Sequence, residues 1–181
     1  MLETQRLLLR RWRDSDCQPF AALNSDPRVM QFFPAALSRA ESDQLVDRIE
    51  AHFERYGFGL FAAELRLERA FVGFVGLAVP NFDAPFTPCV EIGWRLAAEY
   101  WNQGLATEGA KAVLEYGFNS LHLDEIVALT VPANVASRRV MEKIGMTRAP
   151  ADDFDHPRLP EGHPLRRHVL YRIRRRELSP R

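Results

Sequence analysis

Hydrophobic and polar positions recur along this chain with two different periods, and these periods predict its secondary structure. Leu45, Ile49 and Phe53 lie at four-residue spacing, which is typical of one face of a helix. Ser38 and Glu41 form a capping-box pattern at the start of that helix. Elsewhere, short apolar runs bounded by turn residues are typical of strands. The pattern predicts helices over residues 14–24, 38–56, 107–119 and 135–144, and strands over residues 6–12, 59–65, 71–79, 89–96, 125–131 and 167–175.

The order of these elements predicts one mixed sheet. The early strands follow one another through short turns, so we expect them to form antiparallel hairpins. A strand, a helix and a further strand follow between residues 89 and 131. A crossover of that length returns the chain in the same direction, which makes those two strands parallel. We therefore expect a single α/β or α+β domain over residues 1–181, with helices packed on the sheet and no internal repeats.

The junction between strand 89–96 and helix 107–119 carries a turn of small residues that is suited to an anion. A helix N-terminus presents unpaired backbone N–H groups and the positive end of the helix dipole. Gly104 lets the backbone approach a ligand closely, Ala106 leaves similar room, and Thr107 adds a hydroxyl donor. A pyrophosphate fits this pattern, although an ordinary helix start explains the glycine equally well. Neither a Walker lysine nor the three glycines of a dinucleotide fingerprint accompany Gly104 in the sequence.

Three segments of the chain together resemble one enzyme family. They are Val90–Leu96, Gly104–Glu108, and an Asn134-x-x-Ser137 pair followed by Glu142–Met146. Their order and spacing are similar to those of the GNAT N-acetyltransferases, in particular the RimJ/RimL-like branch of ribosomal-protein N-terminal acetyltransferases. Residues 4–10 and 168–173 are similar to the opening and closing strands of that family, so the resemblance spans the chain.

The resemblance implies a fold, a reaction and an acyl donor. The fold is a GNAT-like mixed, mostly antiparallel sheet with helices on both faces, in which the parallel pair of strands splays apart. The reaction is acetyl transfer from acetyl-CoA to a primary amine by direct attack in a ternary complex, without a metal. Pantetheine would run along strand 89–96, and the pyrophosphate would lie at the turn. The cofactor-binding residues that the resemblance implies are Trp94, Arg95, Leu96, Asn102, Gln103, Gly104, Leu105, Ala106, Thr107, Asn134, Ser137 and Arg138.

A carboxylate on the strand before the turn is the candidate general base. Strand alternation points Glu91, Gly93 and Arg95 to one side, so Glu91 has open space beside the bare glycine. We expect Glu91 to act through a water molecule, because the amine must lose a proton as it attacks the thioester. Desolvation would raise the pKa of Glu91 toward neutrality. A structural ion pair with Arg95 is the alternative.

The candidate general acid departs from the family pattern. Met141 stands where many members have a tyrosine, and a thioether has no proton to donate. Ser137 lies four residues earlier on the same helical face, which makes its hydroxyl the candidate donor. Asn134 is placed to cap this helix and also reach a ligand amide, or only to cap it. Arg138 either contacts the 3′-phosphate of coenzyme A or lies on a solvated helix face.

The acceptor is an amine whose identity the sequence leaves open. At pH 7, deprotonation costs about 4 to 5 kcal/mol for a lysine side chain and about 1 kcal/mol for an α-amine. A site with one carboxylate therefore favours an α-amine, either of a peptide N-terminus or of a small molecule. Acidic residues at positions 152, 153, 155 and 161 either attract a cationic acceptor or are simply solvated. The candidate pocket walls are residues 32–34, 82–86 and 152–156.

Composition narrows the partners and the compartment. The chain has 24 Lys and Arg and 24 Asp and Glu residues, so its charge favours neither nucleic acid nor an anionic membrane as a partner. Cys17 and Cys89 give no disulfide framework, and the first residues lack the apolar core of a signal peptide. We therefore expect a cytoplasmic protein. His156 and His163 are expected to hydrogen-bond or be solvated in their loop rather than bind a metal, and a homodimer is left open.

Two classes of function are consistent with these residues. The first is an acetyl-CoA-dependent N-acetyltransferase. The second, which Met141 keeps open, is a non-catalytic module that binds or sequesters acyl-CoA. Thiol release in the presence of amines distinguishes the two, because only an enzyme produces free coenzyme A.

Overall fold

One sheet organises the part of the chain that the computed structural model describes, residues 1–175. Its strands within those residues are β1 (Leu2–Glu3), β2 (Leu7–Arg10), β3 (Leu60–Leu65), β4 (Phe71–Ala78), β5 (Glu91–Leu96), β6 (Glu125–Thr130), β7 (Thr147–Arg148), β8 (Phe154–Asp155) and β9 (Arg167–Arg174). They are ordered β1-β2-β3-β4-β5-β6-β9-β7, and β8 pairs with β9 beside that path. Residues 176–181 of the expected domain lie outside the described part.

The parallel junction of the sheet lies between β5 and β6. These two strands are in register at Glu91 and Val127, where the Val127 N–H donates a hydrogen bond to the Val90 carbonyl at 2.9 Å. The other strand pairs of the described residues are antiparallel, β4 with β5 and β6 with β9 among them. Because a single residue pair joins β5 to β6, the two strands splay apart beyond Glu91. This confirms the mixed, mostly antiparallel sheet with a splayed parallel pair.

Helices cover both faces of this sheet. They are α1 (Asp14–Ser25), α2 (Pro27–Met30), α3 (Arg39–Tyr56), α4 (Leu105–Asn119) and α5 (Val135–Lys143). Neighbouring residues of β4 point to opposite faces. Phe74 packs against Phe20 of α1, with ring centroids 6.0 Å apart, whereas Val75 lies against Gly109 of α4. Since α3 packs on α1, the predicted arrangement with helices on both faces is confirmed.

The helix predicted from Ser38 to Tyr56 has the predicted cap. The Ser38 side chain accepts a hydrogen bond from the Glu41 N–H at 3.3 Å, and Glu41 Oε2 accepts one from the Ser38 N–H at 2.8 Å. These bonds satisfy backbone donors that a helix N-terminus otherwise leaves unpaired. The helix ends at Gly57, whose φ of 75° is the left-handed conformation that glycine adopts at low cost.

The structure also contains short elements that the sequence pattern does not predict. β1 and α2 lie in segments for which the sequence pattern predicts no element, and β7 and β8 lie in a predicted loop, because elements of two to four residues carry no measurable periodicity. The strand predicted over residues 6–12 shortens to Leu7–Arg10. α4 begins at Leu105 rather than at Thr107, because Gly104 already occupies the N-cap position. No described helix is both long enough and apolar enough to span a bilayer.

A buried ion network joins β2, β3 and α1. Arg10 is only 6% exposed, and its guanidinium donates Nη1 to Asp16 at 2.7 Å and Nε to Glu64 at 2.9 Å. Both carboxylates are buried as well. A buried charge is tolerated when partners of opposite sign surround it, and two carboxylates do so here. The network holds α1 over the face of the sheet on which Phe74 lies.

Candidate active site

The edge of β5 that faces β6 presents backbone groups to the gap between the splayed strands. The Ala97 N–H donates to the Val72 carbonyl of the β4 side at 3.0 Å. Hydrogen bonding alternates along an antiparallel pair, so the backbone of Arg95 also faces β4, while that of Trp94 and Leu96 faces the gap. The Leu96 carbonyl accepts the indole N–H of Trp101 at 2.8 Å. The backbone of Trp94 and the Leu96 N–H are therefore placed to pair with an extended ligand. The backbone of Arg95 faces β4 instead of the gap.

The turn after β5 leaves backbone donors of α4 without protein partners. Gly104 is the N-cap residue, with φ of 78° and no side chain to cap the helix. The first helical hydrogen bond runs from the Glu108 N–H to the Gly104 carbonyl at 3.0 Å. The N–H groups of Leu105, Ala106 and Thr107 precede that bond and so lack a partner within the helix. Such a terminus, exposed and at the positive end of the dipole, suits a phosphate.

Glu108 ties this turn to the opening hairpin, a role that the sequence reading missed. Its carboxylate accepts hydrogen bonds from the Thr4 hydroxyl at 2.6 Å, from the Arg6 N–H at 2.7 Å and from Arg6 Nε at 2.7 Å. Burial acts to raise the pKa of Glu108, but these bonds outweigh it and lower that pKa. Arg6 Nη1 in turn donates to the Gln103 carbonyl at 2.8 Å. The sequence did contain a signal for this contact, because Thr4, Arg6 and Glu108 all lie in segments that resemble the family.

Glu91 lies on the opposite side of the sheet from α4, beside open space. No hydrogen bond or ion pair within residues 1–175 involves its carboxylate, and burial raises the pKa of Glu91 to about 7. The alternative pairing with Arg95 is not present, since Arg95 Nη1 donates to Asn24 Oδ1 at 2.6 Å. A Cβ placed on Gly93 would approach nothing nearer than a Leu60 methyl group at 4.0 Å. The carboxylate therefore borders an unfilled cleft.

Helix α5 provides the other side of the gap. Asn134 caps it as predicted: its Oδ1 accepts the Ser137 N–H at 3.2 Å, and its Nδ2 donates to Thr130 Oγ1 at 3.0 Å. Ser137 is half-buried, and its hydroxyl makes no hydrogen bond in the described part of the chain. Met141 is 2% exposed and packs in the core.

Arg138 is engaged by the protein itself. Its Nε donates to the Tyr171 hydroxyl at 3.3 Å, and its Nη1 donates to the Pro132 carbonyl at 3.1 Å. The Tyr171 hydroxyl donates to Glu142 Oε1 at 2.9 Å. These bonds fix the guanidinium beside α5, so contact with a phosphate would use its remaining donors. Tyr171 is buried and belongs to β9, which sequence spacing could not relate to α5.

Two of the three candidate pocket walls, residues 82–86 and 152–156, come together from distant parts of the chain, whereas Phe33 of the third lies against Arg95. Phe82, Phe86 and Phe154 form an aromatic cluster with His156 and His168, in which Phe86 and Phe154 lie 4.8 Å apart and the two imidazoles 5.0 Å apart. Burial lowers the pKa of both histidines. A pocket of about 240 Å³ adjoins Phe82, lined by residues 80–83, 87 and 88. Cys89 joins the same apolar cluster, and burial raises its pKa to about 11, so it stays a neutral thiol.

Three of the four loop acids are paired rather than free. Asp152 contacts Arg172 at 2.9 Å, Asp153 pairs with Arg148, and Asp155 contacts Arg167 at 3.3 Å. Their charges are therefore largely neutralised within the protein. Among the residues up to Arg175, no group of three or more histidine, cysteine or acidic side chains is arranged to hold a metal ion.

These features define a class of enzyme. A model of the family described as an acetyltransferase (GNAT) domain matches residues 6–147, which is most of the chain. The chain belongs to this family, whose fold the splayed β5–β6 pair reproduces. It is an N-acetyltransferase, and its reaction is acetyl transfer to an amine.

Particular relatives support the same assignment. The chain is 32% identical over 163 residues to "Uncharacterized N-acetyltransferase YnaD" of Bacillus subtilis, covering 90% of this chain and 89% of that one. It is similar to a solved GNAT-family acetyltransferase from Bacillus anthracis, with 29% identity, a TM-score of 0.80, and coverage of 97% and 99%. RimJ of Mycobacterium smegmatis, solved with CoA-disulfide, is 21% identical with a TM-score of 0.76, covering 96% of this chain and 84% of that one. That last likeness is one of fold alone, so the ribosomal-protein branch stays a prediction.

Proposed function

We propose that this enzyme transfers the acetyl group of acetyl-CoA directly to an α-amine, within one ternary complex. The observation that carries the proposal is that β5 offers separate positions to donor and acceptor. Its free edge at Trp94 and Leu96 adjoins the uncapped N-terminus of α4. Glu91 and the open space over Gly93 lie on the face of the sheet opposite α4. Donor and acceptor can therefore approach the same strand from opposite sides, as direct transfer requires.

The residues around the gap fit coenzyme A. Amides of Asn102, Gln103, Gly104, Leu105, Ala106 and Thr107 would hold the pyrophosphate, because the unpaired helix donors and the dipole favour an anion there. Trp94 and Leu96 would pair with pantetheine through backbone groups. Asn134 and Ser137 would border it from α5, and Arg138 would offer its remaining donors to a phosphate. Arg95 would support the strand, since its own backbone faces β4.

The chemistry assigns Glu91 and Ser137 complementary roles. The amine nitrogen forms a bond to the acetyl carbon while the carbon–sulfur bond breaks, and the amine proton passes through water to the Glu91 carboxylate. A pKa of about 7 suits this task, because Glu91 is then ionised in a large fraction of molecules near neutral pH and still basic enough to accept a proton. The Ser137 hydroxyl would donate a hydrogen bond to the departing thiolate, which then takes a proton from solvent. Met141, buried in the core, takes no part.

The acceptor proposed is a peptide N-terminus or a small molecule with an α-amine. An α-amine needs only about 1 kcal/mol for deprotonation at pH 7, against about 4 to 5 kcal/mol for lysine. A site with one carboxylate and no evident chain of groups to relay protons suits the amine that is easier to deprotonate. RimJ, the neighbour of similar fold, is consistent with a ribosomal-protein branch, and a single-domain cytoplasmic enzyme is the form that we propose.

Thiol release tests this function. Purified protein is incubated with acetyl-CoA and a panel of short peptides, free amino acids, polyamines and aminoglycosides, and free coenzyme A is measured. We expect release well above slow hydrolysis with at least one α-amine and acetylation of that amine by mass spectrometry. Acetyl-CoA binding by calorimetry without release from any amine would contradict the proposal and support the sequestering module instead.

A further inference from the structure

The guanidinium of Arg95 has no ion-pair partner in the described part of the chain. Its Nη1 donates to Asn24 Oδ1 at 2.6 Å, but its Nε is shut off from solvent and has no hydrogen-bond partner. No carboxylate within residues 1–175 forms an ion pair with it. Burial lowers the pKa of Arg95 to about 10, which reflects the cost of holding the charge there. Aromatic rings lie against the guanidinium, that of Phe33 at 4.1 Å and that of Phe74 at 5.4 Å.

Arg10, which is buried, shows how such a charge is satisfied elsewhere in the described part of the chain. Carboxylates occupy both edges of the Arg10 guanidinium, Asp16 at one and Glu64 at the other. Arg95 makes a single bond to a neutral amide instead. Removing a charge from water without a partner of opposite sign is costly, and the aromatic contacts offset part of that cost. An anion from outside the chain would supply what Asp16 and Glu64 supply to Arg10.

One donor of the Arg95 guanidinium is placed for a carboxylate. Nη1 is occupied by Asn24 and Nε is shut off from solvent, so Nη2 is the donor that remains for a ligand. A carboxylate oxygen is a charged acceptor for it, and a side-chain shift that opens Nε would add a second, parallel bond on the same edge of the planar guanidinium. The exposed ring of Phe33, with 38% of its surface accessible, covers the guanidinium from the α2–α3 side and limits the approach of water.

The position of Arg95 relates this edge to the reaction. Glu91, Gly93 and Arg95 share one face of β5, with open space over Gly93 between the two charged residues. Four residues of strand separate their Cα atoms by about 13 Å, a span that the inward reach of both side chains shortens. A molecule whose amine lies near Glu91 can therefore extend along the strand toward Arg95.

We propose that Arg95 binds a carboxylate of the acceptor, so that the substrate carries an acid group in addition to the amine that becomes acetylated. The inference rests on the proposed function and narrows its substrate class to amino acids or short peptides that carry a free acid. Arg95 holds the acid end, and Glu91 takes the proton from the amine end. Arg95 is thus a specificity-determining residue of the acceptor site.

Matched acceptors test the inference. Free amino acids and dipeptides are compared with their amides. For glutamate, the α-amide and the side-chain amide are tested separately, which shows whether the α-carboxylate or the side-chain carboxylate is bound. In wild type we expect kcat/KM to be about tenfold to a hundredfold higher for an acid than for its amide, the usual effect of a charged hydrogen bond. Arg95→Met should remove this preference by raising the acceptor KM, while the KM for acetyl-CoA changes less than about twofold.

Two further variants separate binding from support of the fold. Arg95→Lys keeps the charge without the fork and should retain part of the preference. Arg39→Met removes an exposed positive charge, paired with Asp43, from the same side of the molecule and should leave the preference unchanged. Arg95→Met leaves Oδ1 of the buried Asn24 without its donor, so its melting temperature is expected to fall and the preference for acids over amides is the test. An equal loss of kcat/KM for acids and amides would assign Arg95 a structural role and overturn the inference.

A binding measurement keeps the inference testable without turnover. Each acid and its amide are added to protein saturated with coenzyme A, and the melting temperature is recorded. An acid should raise it more than its amide in wild type but not in Arg95→Met. If no amine yields free thiol while this difference holds, the proposed function fails and the acid site stands. Equal responses to acids and amides in both assays would overturn the acid site.

Discussion

On one face of β5, Glu91 and Arg95 carry opposite charges that no ion pair neutralises in the described part of the chain. Burial shifts both pKa values toward neutrality, that of Glu91 upward to about 7 and that of Arg95 downward to about 10. For Glu91 the folded state favours the protonated form, so its contribution to stability is fully present at low pH and is lost as the pH rises through about 7. Such strain is common at sites of function.

Replacement of the Glu91 carboxylate tests its role as a base. Glu91→Gln keeps the shape and removes the basicity, so we expect kcat near pH 7 to fall by about 10² to 10⁴. The wild-type pH profile of kcat/KM should rise through about pH 7, because the ionised carboxylate is the active form, and the variant should lose that inflection. Higher pH should restore part of the rate, since the amine then arrives deprotonated. Calorimetry should give unchanged affinity for acetyl-CoA.

The stability of the same variant provides an independent control. Above pH 7, Glu91→Gln should melt at a higher temperature than wild type, because it removes a buried unpaired charge, and below about pH 4 the two should coincide. Full activity of Glu91→Gln at every pH would show that the carboxylate is structural and that the enzyme selects amines that are already neutral.

Ser137 offers a second test at the scale of one side chain. Its hydroxyl makes no hydrogen bond within the described residues, although its N–H is held by the Asn134 cap. If the hydroxyl donates to the departing sulfur, Ser137→Ala should lower kcat by about 10² while changing acetyl-CoA affinity little. Steady-state kinetics and calorimetry separate the two quantities. A loss of affinity with kcat preserved would assign Ser137 to cofactor binding alone.

Among the elements, α4 has a start that suits the phosphate proposed to bind there. Its N-cap is a glycine in the left-handed conformation, so no side chain satisfies the first N–H groups. Most helices use Ser, Thr, Asp or Asn there, at a benefit of about 1 kcal/mol. This helix gives up that benefit and is held instead by Glu108, which bonds Thr4 and Arg6 of the opening hairpin. The exposed donors are thus kept rigid without being occupied.

A carboxylate placed at this N-cap should prevent cofactor binding. Gly104→Asp puts a negative charge where a phosphate would lie, and its Cβ would meet only Arg6 Nη2 at 3.5 Å, so the fold should persist. Because φ at Gly104 is 78°, a side chain there is strained by about 1 to 2 kcal/mol, and the melting temperature should fall slightly. We expect acetyl-CoA affinity to fall more than about tenfold by calorimetry.

Gly104→Asn is the matched control for that variant. Asparagine has the same shape, tolerates the left-handed conformation and lacks the charge. Its effect on affinity should be clearly smaller than that of Gly104→Asp. Equal affinity of Gly104→Asp and wild type would locate the phosphates elsewhere on the molecule.

For the whole molecule, the splayed sheet predicts a strong link between cofactor and stability. β5 and β6 share one residue pair, so a ligand in the gap would bridge β1–β5 and β6–β9, the two parts of the sheet. At a concentration of one hundred Kd, binding to the native state alone adds about 2.7 kcal/mol. For a chain of this size, that corresponds to a rise in melting temperature of about 5 to 10 °C.

Differential scanning fluorimetry with acetyl-CoA measures this rise, and hydrogen exchange locates it. Protection should increase at the free edge of β5 and at the first turn of α4. Gly104→Asp should lose both the rise and the protection. A rise in melting temperature without protection at β5 would place the ligand outside the gap.

The sequence by itself determined the larger elements, the turn at Gly104 and the Asn134 cap. Periodicity identified α3 with its Ser38 cap, and the strand–helix–strand order identified the parallel pair. Local chemistry sufficed there, because capping and amphipathic patterns depend on residues a few positions apart. The turn at Gly104 and the Asn134 cap were readable for the same reason.

Only the tertiary structure decided which charges are paired and which are left alone. Arg95 could not be separated from Glu91 in sequence, yet folding brings Asn24, 71 residues away, to its Nη1. Glu108 likewise meets Arg6 across 102 residues, and Tyr171 meets Arg138 from another strand. Partner choice and burial depend on contacts distant along the chain, which no local period encodes. The carboxylate and guanidinium on β5 that lack ion-pair partners, and with them the acceptor site that we propose, follow from that packing.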